Sequence, residues 1–461
     1  MENFSGEFVR KKRLFGTCGI RGPVAERVTP ELVYKLGLSL ATYIDGGKVV
    51  IARDSRLTGE MLKHATISGL LAGGCDVIDI GLAPTPCLSF TTRDLGADAG
   101  VMMTASHNPS SDNGIKFHNS DGMEFLPDQE IEIEDLYFKE KFKRAEWNEV
   151  GTVENYEDAI PNYLEAITRS VNVEPGLKVV VDCSSGAASV VTPYLLRELG
   201  CKVITLNSNP DGHFQAHSPE PQPWHLEDLR RAVVDLGADV GFAHDGDGDR
   251  VEVVDECGVF FKHDTFIVNF AKRAAEKHGG GTVVTSVNTS VSIEEVVNAA
   301  GGKVERTALG NLPAAHLEHD AIYAGEPGKS IFPEFSRWMD GIYAGAKFLE
   351  IMSKEDKKPS EIAAGVPSYP MDRENFACPE EKKLEFMKSM RDYLQENVSQ
   401  IRGIIDIDGI RVNREDGSWI LIRTSGTEPK ARMVIEGRTE EEAEELREIG
   451  RAGIKKLLLG K

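Results

Sequence analysis

Apolar and polar positions along this chain recur in one arrangement three times. KVVIARDSR at 48–56, rich in β-branched residues, leads into a helical stretch, and GGCDVIDIG at 73–81 follows it. KVVVDCSSG at 178–186 with LGCKVITLN at 199–207 repeats the arrangement, as does GTVVTSVNTS at 281–290 with GGKVERTALG at 301–310. An apolar run, a helix and a second run introduced by Gly predict βαβ units, with parallel strands covered by helices.

Each copy continues into one more strand. DLGADAGVMMT at 94–104 parallels DLGADVGFAHD at 235–245, and EHDAIYAGE at 318–326 is a looser third version. The strands end in three unlike loops, ASHNPSSDNG, HDGDGDR and GEPGKS. Ligands of α/β sheets bind at the carboxyl ends of strands, so three matching strand ends that deliver three different loops form a site-building pattern. The repeats place boundaries at 1–152, 153–258 and 259–365. A stretch rich in proline and charge, SKEDKKPSEIAAGVPSYP at 353–370, links to a last domain at 366–461. That domain ends in a predicted helix over 439–461, in which Ala443, Leu446, Ile449, Gly453 and Leu457 share helical spacing.

With 461 residues, about three or four domains are expected. The formal charge of −21 repels nucleic-acid backbones and anionic membranes, so an anionic ligand needs a local positive patch. The seven cysteines are scattered, odd in number and never in a CxxC pair, which suits a reducing cytoplasm. MENFSGEFVRKKRLFG has no apolar core for a signal peptide, and no stretch reaches the ~20 apolar residues of a membrane span. A cytoplasmic protein is expected. Its oligomeric state is not legible.

Four loops carry candidate chemistry. In TASHNP (104–109), the turn after a strand holds the Ser106 hydroxyl forward of the sheet, where an electrophile can reach it; a plain Ser/Asn turn is the alternative. A Ser-His-Asp hydrolase fits poorly, because Ser106 and His107 are neighbours and no GxSxG elbow exists. Lys116 follows ten residues after Ser106 and suits proton transfer, phosphate binding or simply a solvated surface. HDGDGDR brings Asp245, Asp247 and Asp249 together, the oxygen ligands a hard cation such as Mg²⁺ takes. An EF-hand is the rival reading, with Glu256 at its twelfth position, but Arg250 replaces the turn glycine and VEVVDE reads as a strand. GEPGKS (325–330) offers Glu326 and Lys329, and taken alone suits a surface turn as well as a sugar site. RTSGTEPKAR (423–432) gathers Arg423, Ser425, Thr427, Lys430 and Arg432 around Gly426, an anion nest of the kind the acidic chain requires. GTCGIRG (16–22) presents Arg21 on a glycine-rich loop.

Taken together, FGTCGIRG, TASHNP, DGDGDR, GEP and RTSGTEP resemble the α-D-phosphohexomutase superfamily, archaeal type, over nearly the whole chain. The resemblance implies three similar α/β domains with mixed sheets plus a smaller C-terminal α+β domain, set around a central cleft. It implies that Ser106 is a phosphoserine and, with Asp245, Asp247 and Asp249, ligates one Mg²⁺. The phosphoserine passes its phosphoryl group to a hexose monophosphate. The 1,6-bisphosphate of the hexose or glucosamine, also the activator, turns over and returns the other phosphoryl. Lys116, Arg21 and Arg250 assist proton transfer and charge, and His107 lines the phosphoserine. Glu326 holds sugar hydroxyls, and Arg423, Ser425, Gly426 and Thr427 clamp the non-reacting phosphate.

The third loop departs from the bacterial Gly-Glu-x-Ser-Gly-His pattern, lacking both its serine and its histidine; Lys329 or Ser330 is the replacement at hand. GEP followed by IFPEF and WMDG resembles archaeal-type phosphoglucosamine mutases more than phosphomannomutase/phosphoglucomutases. The expected partner is thus a small phosphosugar, glucosamine phosphate first. A phosphatase-like hydrolase and a non-catalytic divalent-cation-binding module remain the alternatives in other classes.

Overall fold

A computed structural model describes residues 12–425 and 429–459. Two compact units divide them: one takes the chain as far as Lys262 together with Gly328–Ala363, the other His263–Pro327 with the chain from Ala364 onward.

In the first unit, the strand Gly47–Arg53 runs parallel to Cys75–Leu82 on one side and to Ala99–Met103 on the other. Val49, Val50, Ile51 and Ala52 are all fully buried, as a strand with both faces covered requires. Asp112–Asn119 joins antiparallel to Ala99–Met103, and Ile20–Pro23 pairs antiparallel beyond it. Val153–Asn155 forms the opposite edge, parallel to Cys75–Leu82. The second sheet repeats this plan with order Val251–Asp255, Val240–His244, Lys178–Asp182, Lys202–Leu206, and its first strand is antiparallel. Both sheets are therefore mixed, and in both an antiparallel neighbour returns the chain from the strand end that carries a loop of interest.

Two features complete this unit. The helix Pro127–Lys139 presents Glu134 inward, where its carboxylate accepts the backbone N–H groups of Arg13, Leu14 and Phe15 at 2.6–2.9 Å. That carboxylate anchors the segment leading to the glycine-rich loop before Arg21. The helix Gly341–Glu355 is capped by Asp340, which accepts the Tyr343 N–H and the Tyr163 hydroxyl, each at 2.8 Å. Phe348 on this helix meets Phe242 and Phe261 edge-on.

In the second unit, Gly302–Thr307, Gly281–Ser286 and Tyr323–Glu326 lie parallel in that order. An antiparallel sheet follows, ordered Met371–Ala377, Lys430–Glu436, Trp419–Thr424, Ile410–Arg414, Ile401–Ile405. The helices Lys383–Asn397 and Glu440–Leu459 supply its core, with Phe386, Met390, Ala443, Leu446, Ile454 and Leu458 buried. The inward stripe of the last helix thus ends on Ile454 and Leu458, while Leu457 is only partly buried. Buried Arg411 stacks 3.7 Å over the Trp419 ring and donates to the carbonyls of Val287 and Thr289. The fold is the expected one of α/β domains with mixed sheets and a C-terminal antiparallel domain. Among the described residues, no helix is long and apolar enough to cross a membrane.

Candidate active site

Ser106 follows the buried strand Ala99–Met103 and is itself 1% exposed. Its backbone is left-handed, φ +51°, a conformation that costs a non-glycine residue about 1–3 kcal/mol and persists only where surroundings impose it. Here they do. The Ser106 N–H donates to Thr104 Oγ1 at 2.8 Å, and that hydroxyl donates to Asp54 Oδ2 at 2.6 Å. Arg56, fully buried, pairs with Asp54 and aims its guanidinium into the serine loop. Nη2 donates to the carbonyls of Ser106 and Asn108, and Nη1 to those of Pro109 and Asp112, at 2.6–2.8 Å. RDSR at the end of the strand Gly47–Arg53 supplies this support, and its composition alone does not set it apart from a charged turn.

The aspartate loop meets the serine loop directly. A Cβ on Gly246 would stand 2.5 Å from the Ser106 carbonyl oxygen, so only glycine allows this approach. The Ser106 hydroxyl donates to Asp245 Oδ2 at 2.7 Å, and Asp245 Oδ1 accepts from the N–H groups of Gly248 and Arg250. Asp247 Oδ2 accepts from Thr85 Oγ1 at 2.7 Å and from Lys116 Nζ at 2.8 Å. Thr85 also donates its N–H to the Asp247 carbonyl at 2.9 Å. No local pattern links Thr85 to a loop so far along the chain.

The three aspartates offer oxygens within 4.8 Å of one another, all buried. Asp247 Oδ1 and Asp249 Oδ1 are buried and accept no hydrogen bond from the described residues. Buried carboxylate oxygens without donors are costly unless a cation meets them, so this set fits an oxygen-liganded divalent ion. Burial, then the neighbouring Asp249 and Asp247 charges, pushes the Asp245 carboxyl well up. Burial would raise Asp249 too, but Lys329, Lys116 and Arg250 overcome it and hold that carboxyl well below the usual range.

Cations surround the triad. Lys116, on the strand Asp112–Asn119, lies 3.2 Å from Asp249 Oδ2 and 3.4 Å from Glu124. Burial works against its charge, yet Asp247, Asp249 and Glu124 hold its ammonium well above the ordinary value. Lys329, on the strand Lys329–Ile331, lies 3.0 Å from Asp249 Oδ2. The Arg250 guanidinium stands 4.0 Å from Asp245 Oδ2 and from Asp249 Oδ1. His107 Nδ1 is 3.3 Å from Ser106 Oγ; the Arg250 charge, with burial and Arg21, keeps this imidazole neutral. Arg21 pairs in register with Gly114 across the antiparallel edge. Cys18 lies among the same charges, and burial with Glu124 pushes its thiol up to about 11.

The remaining predicted residues belong to the second unit. Glu326 ends the strand Tyr323–Glu326 and accepts the Gly310 N–H at 3.2 Å. Arg423 sits directly opposite Arg432 in the antiparallel ladder and is paired with Asp408 at 2.8 Å. Two guanidinium side chains facing each other across a sheet repel unless an anion or carboxylate intervenes. The Ser425 carbonyl accepts from Lys383 Nζ at 2.6 Å, and Lys383 was not singled out from the sequence. Gly426 and Thr427 lie outside the described residues.

Four family models match successive segments of the chain. The family described as "Phosphoglucomutase/phosphomannomutase, alpha/beta/alpha domain I" matches residues 12–144, its domain II 158–258, its domain III 262–369 and its C-terminal domain 374–450. A phosphopentomutase of Thermococcus kodakarensis is 44% identical over 97% of this chain and 98% of its own. A probable phosphoglucosamine mutase of Methanopyrus kandleri is 44% identical over 95% of this chain and 96% of its own. The crystal structure of a phosphoglucomutase/phosphomannomutase family protein from Burkholderia thailandensis superposes with TM-score 0.85 at 28% identity, covering 96% of this chain and 97% of that one.

Proposed function

Because the chain belongs to the phosphoglucomutase/phosphomannomutase family and is a phosphohexomutase, we propose that it interconverts the 6- and 1-phosphates of a hexosamine, glucosamine first, through a phosphoserine at Ser106. One observation carries the mechanism. The Ser106 hydroxyl, strained forward on a loop that Arg56 pins, donates to Asp245 beside two carboxylate oxygens that lack donors.

In this reading, the sugar's free hydroxyl attacks the phosphorus as the bond from phosphorus to Ser106 Oγ breaks. The hydroxyl proton leaves with the attack, and the serine oxygen takes up a proton. Neutral His107, 3.3 Å from Ser106 Oγ, accepts the serine proton when a phosphoryl group returns to that oxygen, and the protonated Lys116 is the acid that supplies a proton when the serine leaves. Lys116, kept protonated, and the Arg21 and Arg250 guanidinium groups balance charge on the transferring phosphoryl. Asp245, Asp247, Asp249 and the phosphoserine would hold Mg²⁺, which would supply further charge neutralisation there. Glu326 accepts from sugar hydroxyls, and Arg423 with Ser425, Gly426 and Thr427 grips the phosphate that is not reacting. The bisphosphate turns over between the two transfers, and its other phosphoryl returns to Ser106 by the reverse step.

The Thermococcus kodakarensis relative, as similar as the phosphoglucosamine mutases and named for a pentose, supports a second reading in which the sugar is a pentose phosphate. Turnover of glucosamine 1-phosphate, glucose 1-phosphate, mannose 1-phosphate and ribose 1-phosphate, with Mg²⁺ and a trace of each bisphosphate, separates the readings. The highest kcat/KM is expected for the amino sugar and overturned by any other. Release of phosphate to water without isomerisation returns the protein to the phosphatase class.

A further inference from the structure

Asp249 carries two ammonium groups on one oxygen. Lys116 Nζ lies 3.2 Å and Lys329 Nζ 3.0 Å from its Oδ2, and all three side chains are buried. Lys116 also holds Asp247 at 2.8 Å. With Arg250 at 4.0 Å, three cations face three carboxylates. The lysines hold the Oδ2 atoms of Asp247 and Asp249, and the Oδ1 atoms of both accept no hydrogen bond from the described residues. Take Lys329 away, and Lys116 still grips Asp249 Oδ2. The orientation of the ligand oxygen is kept, and one compensating charge is lost. In a buried site a unit charge a few ångströms from a bound cation outweighs one lost hydrogen bond.

We infer that Lys329 is a counter-cation built into the aspartate triad, a positioning residue that acts through Asp249 to loosen the site's hold on a divalent ion and to favour a dianionic phosphoryl group there. The inference rests on the mutase reading, and the opening GEPGKS supplies the residue in place of the serine and histidine of the bacterial loop. With Lys329 present, the unphosphorylated triad is near charge balance and binds its ion modestly. The phosphoserine's own charge then restores affinity when chemistry requires it.

Mn²⁺ binding to the dephosphorylated full-length protein, followed by electron paramagnetic resonance, tests this. Lys329→Met is expected to lower the Mn²⁺ Kd about tenfold while raising the phosphosugar KM about tenfold. Lys329→Gln, which keeps a donor but no charge, should behave like Lys329→Met, and Lys329→Arg like the wild type. If Lys329→Met does not fold, the Gln and Arg pair decides alone. A Mn²⁺ Kd that stays level or rises in Lys329→Gln, or a KM that stays level, overturns the inference. A wild type that turns over no phosphosugar overturns the mutase reading instead, and the Mn²⁺ titration still judges Lys329.

Discussion

Arg56 Nη2 lies 2.8 Å from the carbonyl oxygen of Ser106, and the same guanidinium spans three more carbonyls of that loop. A planar fork with five donors is required for four such contacts plus the pair with Asp54, and an ammonium cannot reproduce it. Arg56→Lys should therefore lower kcat by about 100-fold while the fold survives, since misplacing a reacting group by about 1 Å costs about that much. Arg56→Met should go further and lose about 3–5 kcal/mol in chemical denaturation, because Asp54 is left buried without its cation. A wild-type kcat in Arg56→Lys would show that the serine loop holds its strained shape without help.

Ser106→Ala should abolish turnover with the unfolding midpoint nearly unchanged, and a phosphate adduct seen by intact mass in the wild type should vanish. An adduct that persists in Ser106→Ala places the phosphoryl group elsewhere.

Chelation should remove activity reversibly. Asp247 Oδ1 and Asp249 Oδ1 accept no hydrogen bond from the described residues and are left for a cation, so exhaustive EDTA treatment is expected to silence turnover and added Mg²⁺ to restore it. Asp247→Asn should raise the Mg²⁺ concentration needed for half-maximal rate by at least tenfold. Full activity after metal removal would contradict the assignment of the triad.

Much of this site is legible in the sequence, for a physical reason. Each strand end delivers its functional groups as a contiguous string, so TASHNP and DGDGDR carry the serine and the carboxylates with their own turn chemistry. What supports those strings was not readable. Thr85 meets Asp247 across 162 positions, and Glu134 reaches back 121 positions to Arg13, with no periodicity to announce either pair. EIEIED on a helix gives no sign that one of its four acids caps backbone N–H groups in the interior. Arg56 stood in plain view within RDSR, yet an arginine that binds four carbonyls and one carboxylate in the interior looks like any surface charge until the sheet folds over it.

Arg423→Met should raise KM for the phosphosugar by about 10- to 100-fold, the value of one or two charge-assisted hydrogen bonds, with a smaller effect on kcat. The Asp408 partner at 2.8 Å means that the guanidinium is already oriented before a phosphate arrives. Steady-state kinetics with KM unchanged would remove Arg423 from the clamp.

Asp340 predicts a pH dependence remote from the chemistry. Burial lifts its carboxyl from 3.8 to about 6, against the lowering effect of the bonds from Tyr343 and Tyr163. The folded state therefore binds this proton more tightly than the unfolded state does. The stabilisation is complete below about pH 4 and is lost as pH rises toward 6, a change of about 3 kcal/mol. Urea unfolding across that interval should show Asp340→Asn with a flatter profile than the wild type, and parallel profiles would refute the assignment.

The strand Lys329–Ile331 and the helix Gly341–Glu355 belong to the unit whose earlier residues end at Lys262. A ribosome making this chain must thus release the whole of His263–Pro327 before it can supply the pieces that close the first unit. At about 5–20 residues per second the delay lasts seconds, during which Phe242 and Phe261 have no Phe348 to cover them and Asp249 has no Lys329. Order of synthesis and order of assembly are out of step here, and the nascent protein spends that interval with its three clustered carboxylates in place and its apolar flank bare, the window in which a chaperone has most to offer it.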